Sequence, residues 1–290
     1  MINFQRILFP VDFSEQCSAI VPAVKAMAEE FHSQLILLHV VDLPSTWFGS
    51  PEAAAWTTLI SAERLREEGQ IALDRFAATH FAGFRVTAVL DEGPAGQAIA
   101  AYSQENQIDL IMMPTRGYGP FRAFLLGSVT AKVLHDAHCP VWSGVHAEEL
   151  RAHSPERWRQ VLCAVDTDPR DTCVLKWCDE FAAGRHLNIR LIHAVEGVDT
   201  ALTKERDPSM YEFLFNVARE RIAAMQADAH TRYEVCLLGG NVGRAVHQAA
   251  ISHDTDLVVI GRGVLHKNLG RLRSSAVSII QQAPCPVISI

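Results

Sequence analysis

Short apolar segments alternate with longer segments of helical periodicity along the whole chain. In the first half, segments rich in Val, Ile and Leu predict five strands, at Ile7–Val11, Gln34–Val40, Arg85–Leu90, Leu110–Met113 and Val141–Val145. Charged residues lie mostly at the strand ends, which is typical of strands that are covered on both faces. The alternation of strands with helices predicts an α/β fold with a parallel sheet, right-handed crossovers and helices on both faces of the sheet.

Four predicted helices lie between these strands. Ser14 is a suitable N-cap, and apolar residues follow it at spacings of three and four residues. Ser61 begins the second predicted helix, and Ala95–Tyr102 and Val129–Ala137 are the other two. The segment Leu43–Thr58, which is interrupted by proline and glycine, is predicted to be a surface excursion.

The pattern of the first half returns in the second half. Asp12 corresponds to Asp166 at an offset of 154 residues, and Cys139-Pro140-Val141 corresponds to Cys285-Pro286-Val287 at an offset of 146. The predicted strands of the second copy are Val161–Val165, Ile189–Val195, Tyr233–Leu238, Leu257–Ile260 and Val287–Ile290. The repeat predicts two tandem modules of one fold, residues 1–147 and 156–290, joined by a polar linker at 148–155.

Composition narrows the class of protein. The 290 residues are 49% hydrophobic and 20% charged, which is ordinary for two globular domains. The net charge is −7 and no basic stripe is present, so nucleic acid is not an expected partner. The first residues lead directly into a strand and no apolar run approaches a membrane span, so we expect a cytoplasmic protein without a signal peptide. The seven cysteines form no CxxC pair and are expected to be reduced.

Two segments of the first copy follow strands at the edge of the sheet where α/β proteins bind ligands. One is Asp12-Phe13-Ser14 after the first strand, and the other is Pro114–Ser128 after the fourth. In the second segment, Gly117 allows a tight turn, and Gly127-Ser128 begins a helix whose free amides and positive dipole end suit a phosphate.

The side chains of these segments suggest roles at the two ends of a nucleotide. The hydroxyls of Ser128 and Thr130 can donate to phosphate oxygens or help to hold a hydrated Mg²⁺. The carboxylate of Asp12 would repel a phosphate, so we place it at the nucleoside end, where it can accept hydrogen bonds from a base or ribose.

The loop after strand four resembles that of the universal stress protein family, in its nucleotide-binding branch. Gly117, nine further residues and then Gly127-Ser128 match the family pattern, and Leu125–Thr130 is similar to the nucleotide-binding members almost letter for letter. Ile7–Ser14 and the Cys139-Pro140-Val141 segment add to the likeness, which covers essentially the whole chain as two modules.

This resemblance implies a Rossmann-like module of five parallel strands and four helices, as in adenine-nucleotide alpha-hydrolases, with ATP and Mg²⁺ as ligand. Asp12 and the backbone of Val40 would contact adenine or ribose, and Gly117, Gly127, Ser128, Val129 and Thr130 would hold the phosphates. Pro10, Val11, Met113 and Pro114 would line the same site. The resemblance also implies pairing through the fifth strand, either between the two modules or between two chains.

Departures from the family pattern occur in both copies. Pro114 stands where the first copy should have its first glycine, and proline removes an amide donor. In the second copy, Arg273 replaces the glycine equivalent to Gly127, and one residue is missing between Asp256 and Pro286. A degenerate site is therefore expected there, although Arg273 could instead bind an anion.

Three classes of function fit these features. The leading hypothesis is an ATP-binding regulatory protein of the stress response, whose nucleotide biases a conformation or a partner surface. The second is a slow ATPase or a phosphoryl or adenylyl transferase that uses Ser128, Thr130 and Mg²⁺. The third is a partner-binding scaffold without a ligand. No P-loop lysine and no pair of carboxylates flanks the glycine loop, which disfavours catalysis. His135–His138 has the composition of a metal site, but it lies at a predicted helix end, where histidines interact favourably with the negative end of the helix dipole. This second role is favoured.

Overall fold

The computed structural model describes residues 2–42, 51–115, 126–144, 158–198, 207–262 and 274–290, with the backbone alone for 51–61 and 170. The strands are β1 Arg6–Pro10, β2 Gln34–Val41, β3 Val86–Glu92, β4 Leu110–Pro114, β5 Val141–Gly144, β6 Gln160–Ala164, β7 Asn188–Val195, β8 Glu234–Gly239, β9 Leu257–Ile260 and β10 Val287–Ser289. The α-helices of these ranges are α1 Glu15–Ala19, α2 Val21–Glu30, α3 Pro51–His80, α4 Ala95–Glu105, α5 Ser128–Asp136, α6 Thr172–Ala182, α7 Pro208–Ala229, α8 Val242–Ser252 and α9 Ser274–Gln282.

The ten strands form one sheet in the order β3-β2-β1-β4-β5-β10-β9-β6-β7-β8. Strands pair in parallel within each half, and among the described strands only the central β5–β10 pair is antiparallel. The predicted α/β fold with two parallel five-stranded units is confirmed. The connection order reverses between β1 and β4 in the first half, which leaves a crevice at the carboxyl ends of these strands.

The antiparallel β5–β10 pair joins the two modules through the fifth strand of each, as the family resemblance implies. Its hydrogen bonds are symmetric: the hydroxyl of Ser143 donates to the carbonyl of Val287, and that of Ser289 donates to the carbonyl of Val141, both at 3.3 Å. Both serines are fully buried. The strand pair therefore has the local symmetry of a twofold dimer, built within one chain.

A second contact between the modules lies away from this strand pair. The guanidinium of Arg185 stacks over Phe31 of the first module, 4.6 Å from the ring centroid, and donates to the carbonyl of Ile2 at 3.4 Å. Phe4 packs against Phe181 with a centroid separation of 6.3 Å. The apolar core on this face of the sheet is therefore continuous across both modules.

Two predicted helices differ from those observed. The amide of Cys17 donates to the hydroxyl of Ser14, which confirms the N-cap, but the helix that follows is divided into α1 and α2 at Ile20. The cause is Pro22, which lacks an amide hydrogen and is tolerated only in the first turn of a helix. The helix predicted to begin at Ser61 begins ten residues earlier, at Pro51, so residues 51–58 of the predicted excursion are helical.

Not every segment predicted from the sequence falls within the residues that the structure describes. Residues 43–50 of the excursion and the linker at 148–155 lie outside the described ranges, and the domain boundaries stay a prediction. None of the described helices is long and apolar enough to cross a membrane.

Candidate functional site

A cavity of about 310 Å³ lies at the carboxyl ends of β1, β2 and β4, beside the first turns of α4 and α5. This is the crevice at which the strand order reverses. It is lined by ten of the predicted site residues, Pro10, Val11, Asp12, Val40, Met113, Pro114, Gly127, Ser128, Val129 and Thr130. The eleventh, Gly117, lies outside the described part of the chain. The fold thus brings segments far apart in the sequence to one cavity.

The amino-terminal end of α5 forms one side of this cavity. Gly127 is its N-cap with φ −62° and ψ 146°, and this residue has no side chain with which to cap the helix. The amide of Gly127 donates to the carbonyl of Thr115 at 3.0 Å, and the first helical hydrogen bond runs from Ala131 to Gly127 at 2.8 Å. The amides of residues 128–130 therefore precede the first helical bond, at the positive end of the helix dipole, where an anion is stabilised.

The hydroxyls on this turn differ in their roles. Thr130 is 3% exposed, and its hydroxyl donates to the carbonyl of Pro114 at 3.1 Å. Its proton is therefore used within the fold, and Thr130 can offer a ligand only an acceptor. Ser128 is exposed and lines the cavity, so it is the hydroxyl donor of this turn.

Asp12 lies in a tight turn at the end of β1. One oxygen of its carboxylate accepts from both the amide and the hydroxyl of Ser14, at 3.0 and 2.6 Å. This turn holds Phe13 in the left-handed region, with φ 62°, which costs energy for a bulky side chain. The second carboxylate oxygen of the exposed Asp12 takes no part in the turn and can accept from a ligand.

His39 also lines the cavity, although it is not among the site residues predicted from the sequence. Its Nδ1 is 2.8 Å from the carbonyl of Val11, and since a carbonyl only accepts, Nδ1 carries the hydrogen. Nε2 of the neutral ring is then an acceptor. Its ring packs against Phe13 at 4.4 Å between centroids. The signal in the sequence was its position one residue before Val40, at a strand end.

A larger cavity, of about 730 Å³, occupies the equivalent position in the second module. Asp166, His193 and Ser274 take the places of Asp12, His39 and Ser128 in its lining. Three of its lining residues are smaller than their counterparts: Ala194, Gly261 and Ala276 replace Val40, Pro114 and Thr130. The cavity also reaches α7, where Leu214 and Val217 line it. Arg273, on which the prediction of a degenerate phosphate site depends, is not among the described residues.

The comparisons with known proteins decide the family. The model of the universal stress protein family matches residues 3–143 and 157–290. The chain belongs to the universal stress protein family. Each module matches the family model separately, so this is a tandem two-module member.

Individual relatives of this universal stress protein match about one module. Universal stress protein MJ0531 of Methanocaldococcus jannaschii is 31% identical over 139 residues, which cover 48% of this chain and 80% of the relative. Universal stress protein Sll1654 of Synechocystis is 32% identical over 148 residues, 49% of this chain and 85% of the relative. Among solved structures, a universal stress protein from Archaeoglobus fulgidus covers 98% of this chain and 95% of its own, with a TM-score of 0.66 and 19% identity. That likeness supports the fold of the whole chain.

The described residues of this universal stress protein offer no metal centre, and the thiols of Cys17 and Cys139 are held in their protonated form. No three His, Cys, Asp or Glu side chains within the described ranges are placed to share a metal ion, and His135 pairs instead with Asp136. Burial raises the pKa of the Cys17 thiol to about 12 and that of Cys139 to about 11. These thiols therefore remain protonated at neutral pH, as expected for thiols that pack rather than react.

Proposed function

We propose that the first module of this universal stress protein binds ATP with Mg²⁺, and that the protein is a nucleotide-responsive regulator in the stress response. One observation carries the proposal: a single cavity at the strand-order reversal contains both the uncapped start of α5 and the carboxylate of Asp12. The helix start suits the phosphates, whereas Asp12 suits the hydroxyl and amino groups of the nucleoside.

The size and lining of the cavity support a nucleotide. A cavity of about 310 Å³ is within the range that small-molecule sites occupy. Val11, Ile99 and Met113 provide an apolar surface for a base, while the polar groups lie at the two ends. Thr130 and the amide of Gly127 are engaged within the fold, so the turn is held in shape before any ligand arrives.

The donor set also fits Mg²⁺ that arrives with the nucleotide. Asp12 is the one carboxylate in the described lining, and it lies at the nucleoside end. Mg²⁺ commonly keeps several waters and is held by substrate phosphates together with few protein groups. Ser128 is the side chain of the described lining that would contact it or one of its waters, so no dedicated metal site is needed.

The same lining favours binding over hydrolysis. Its described titratable side chains are Asp12, in the turn after β1, and His39, on β2, and Asp12 is assigned above to the nucleoside rather than to the phosphates. A general base must be within hydrogen-bond reach of the attacking water, directly or through one further water. A slow ATPase would therefore depend on water activated by the nucleotide's own phosphates or on residues beyond the described lining.

The test is equilibrium dialysis of the purified full-length chain, stripped of nucleotide, against Mg-ATP. We expect one nucleotide per chain, recovered as ATP when the retained material is separated by chromatography. Recovery as ADP or AMP that increases with protein concentration would favour the enzymatic alternative. Absence of retention at millimolar Mg-ATP would overturn the proposal and favour a scaffold.

A further inference from the structure

Arg262 belongs to the second module but its side chain contacts the first. It follows Gly261 at the end of β9, and its own amide donates to the carbonyl of Ile290 at 3.0 Å. Its guanidinium crosses the module boundary and donates to the carbonyls of Ala137 at 2.8 Å and Cys139 at 2.7 Å. A longer contact of 3.4 Å reaches Leu134.

These carbonyls lie at and just beyond the carboxyl-terminal end of α5. The last carbonyls of a helix have no partner within the helix, and this end carries the negative part of the helix dipole. A planar guanidinium with several donors satisfies such a group of acceptors better than a point charge does. Arg262 is partly buried, and this burial lowers the pKa of its guanidinium, which stays charged at neutral pH.

The corresponding position in the other module has no such arginine. Thr115 stands at the place of Arg262, and its short side chain donates to Gly144 within its own module. Within the described ranges, the end of α9 is contacted by His247 of its own module, whose Nδ1 is 2.7 Å from the carbonyl of Gln282. The first module has Ala100 at the place of His247. The end of α5, in the first module, is therefore contacted by Arg262 of the second module, whereas the end of α9 is contacted by His247 of its own module.

The opposite end of α5 is the one that lines the first cavity. A helix of nine residues is about 13 Å long, and its continuous backbone hydrogen bonds link the position of one end to that of the other. Its side is fixed against α4, because a Cβ at Gly96 would lie 2.6 Å from Cβ of Lys132. We propose that Arg262 is a positioning residue that, from the second module, holds α5 so that the amides of 128–130 face the first cavity. The first-module site is then incomplete without the second module.

This inference rests on the proposed function for its binding readout, so a second readout that needs no ligand accompanies it. The variant is Arg262→Met, which keeps most of the apolar stem and removes the charge and the donors. The matched control is Arg185→Met, which removes another partly buried arginine at the module boundary, one that contacts Ile2 and Phe31 rather than α5. Arg262→Lys, which keeps the charge but not the planar donors, is the conservative variant; it is measured beside Arg262→Met and carries the comparison alone if Arg262→Met does not fold.

Calorimetric titration of each full-length variant with Mg-ATP gives the first readout. We expect Arg262→Met to bind on the order of 2- to 30-fold more weakly than the wild type, Arg262→Lys to be intermediate, and Arg185→Met to be unchanged within about 2-fold. Hydrogen–deuterium exchange without nucleotide gives the second readout: amides of 128–137 should exchange faster in Arg262→Met than in Arg185→Met.

The outcomes separate this inference from the proposed function. Equal losses of affinity and protection in Arg262→Met and Arg185→Met would overturn it, since they would reflect a general weakening of the module boundary. Unchanged affinity and protection in Arg262→Met would overturn it as well. If the wild type does not bind Mg-ATP, the proposed function fails, and the exchange of 128–137 alone then decides the role of Arg262.

Discussion

Gly127→Val should strongly weaken nucleotide binding with little change in stability. Gly127 is the N-cap of α5 with φ −62° and ψ 146°, an extended conformation that valine also adopts. Valine is a poorer N-cap than glycine, but it also reduces the entropy of the unfolded chain, and these effects of up to about 1 kcal/mol oppose each other. The melting temperature is therefore expected to remain within about 3 °C of the wild type.

The expected loss of affinity follows from the geometry of the helix start. Three amides, those of 128–130, precede the first helical hydrogen bond, and a β-branched side chain at the N-cap occupies the space beside them. A hydrogen bond to a charged group contributes about 1.5–3 kcal/mol. The loss of two such bonds at the lower value is about 3 kcal/mol, which corresponds to about 100-fold in Kd.

The assay is isothermal titration of the full-length variant with Mg-ATP beside a melting curve. Ser275→Val is the matched control, because Ser275 of the second module corresponds to Val129 and the variant puts a β-branched residue at the start of α9. It should leave the affinity unchanged. An affinity of Gly127→Val within about 3-fold of the wild type would refute the assignment of the phosphate end.

Three further predictions concern the nucleoside end, the module boundary and the thiols. Asp12→Ala should weaken Mg-ATP binding about 10-fold in calorimetric titration, because one hydrogen bond to the ligand is lost, whereas Asp166→Ala should change the affinity less than 2-fold. A larger loss of affinity in Asp166→Ala than in Asp12→Ala would place the nucleotide in the second module. Trp142 is 1% exposed and lies at the module boundary, so Trp142→Ala should lower the free energy of unfolding, measured in urea, by about 3–5 kcal/mol. A loss below about 1 kcal/mol would contradict its packing role. Iodoacetamide at pH 8 should modify the exposed Cys173 of the native protein before the buried Cys17, whose thiol has a pKa of about 12. Peptide mapping that finds Cys17 modified first would contradict this burial.

The fold was predictable because it depends on patterns that repeat along the chain. The alternation of apolar runs and helical periodicity was strong enough to predict the α/β class and the two modules. Helix boundaries were less predictable at prolines: Pro51 was interpreted as part of an excursion and Pro22 was overlooked. A proline is compatible with a loop and with the first turn of a helix, and the sequence alone does not separate the two.

The lining of the first cavity was largely predictable, but the use of each polar group was not. The positions of Asp12 and Gly127-Ser128 after strands were enough to place them together at the edge of the sheet. The hydrogen bond of Thr130 to Pro114 depends on how α5 sits over β4, and no sequence pattern indicates it. Arg262 and Ala137, which meet at the end of α5, are 125 positions apart in the sequence, and their contact depends on the packing of the two modules.

Covalent labelling with a photoreactive azido-ATP tests the central claim most directly, because it reports where the nucleotide lies in the full-length chain. Peptide mapping after irradiation should find the label at the carboxyl ends of β1 and β2, on the peptides that contain Asp12 or Val40, at no more than one label per chain. An excess of unmodified Mg-ATP should prevent this labelling. Label on the second-module peptides that contain Asp166 or Ala194, or labelling that Mg-ATP does not prevent, would contradict the account.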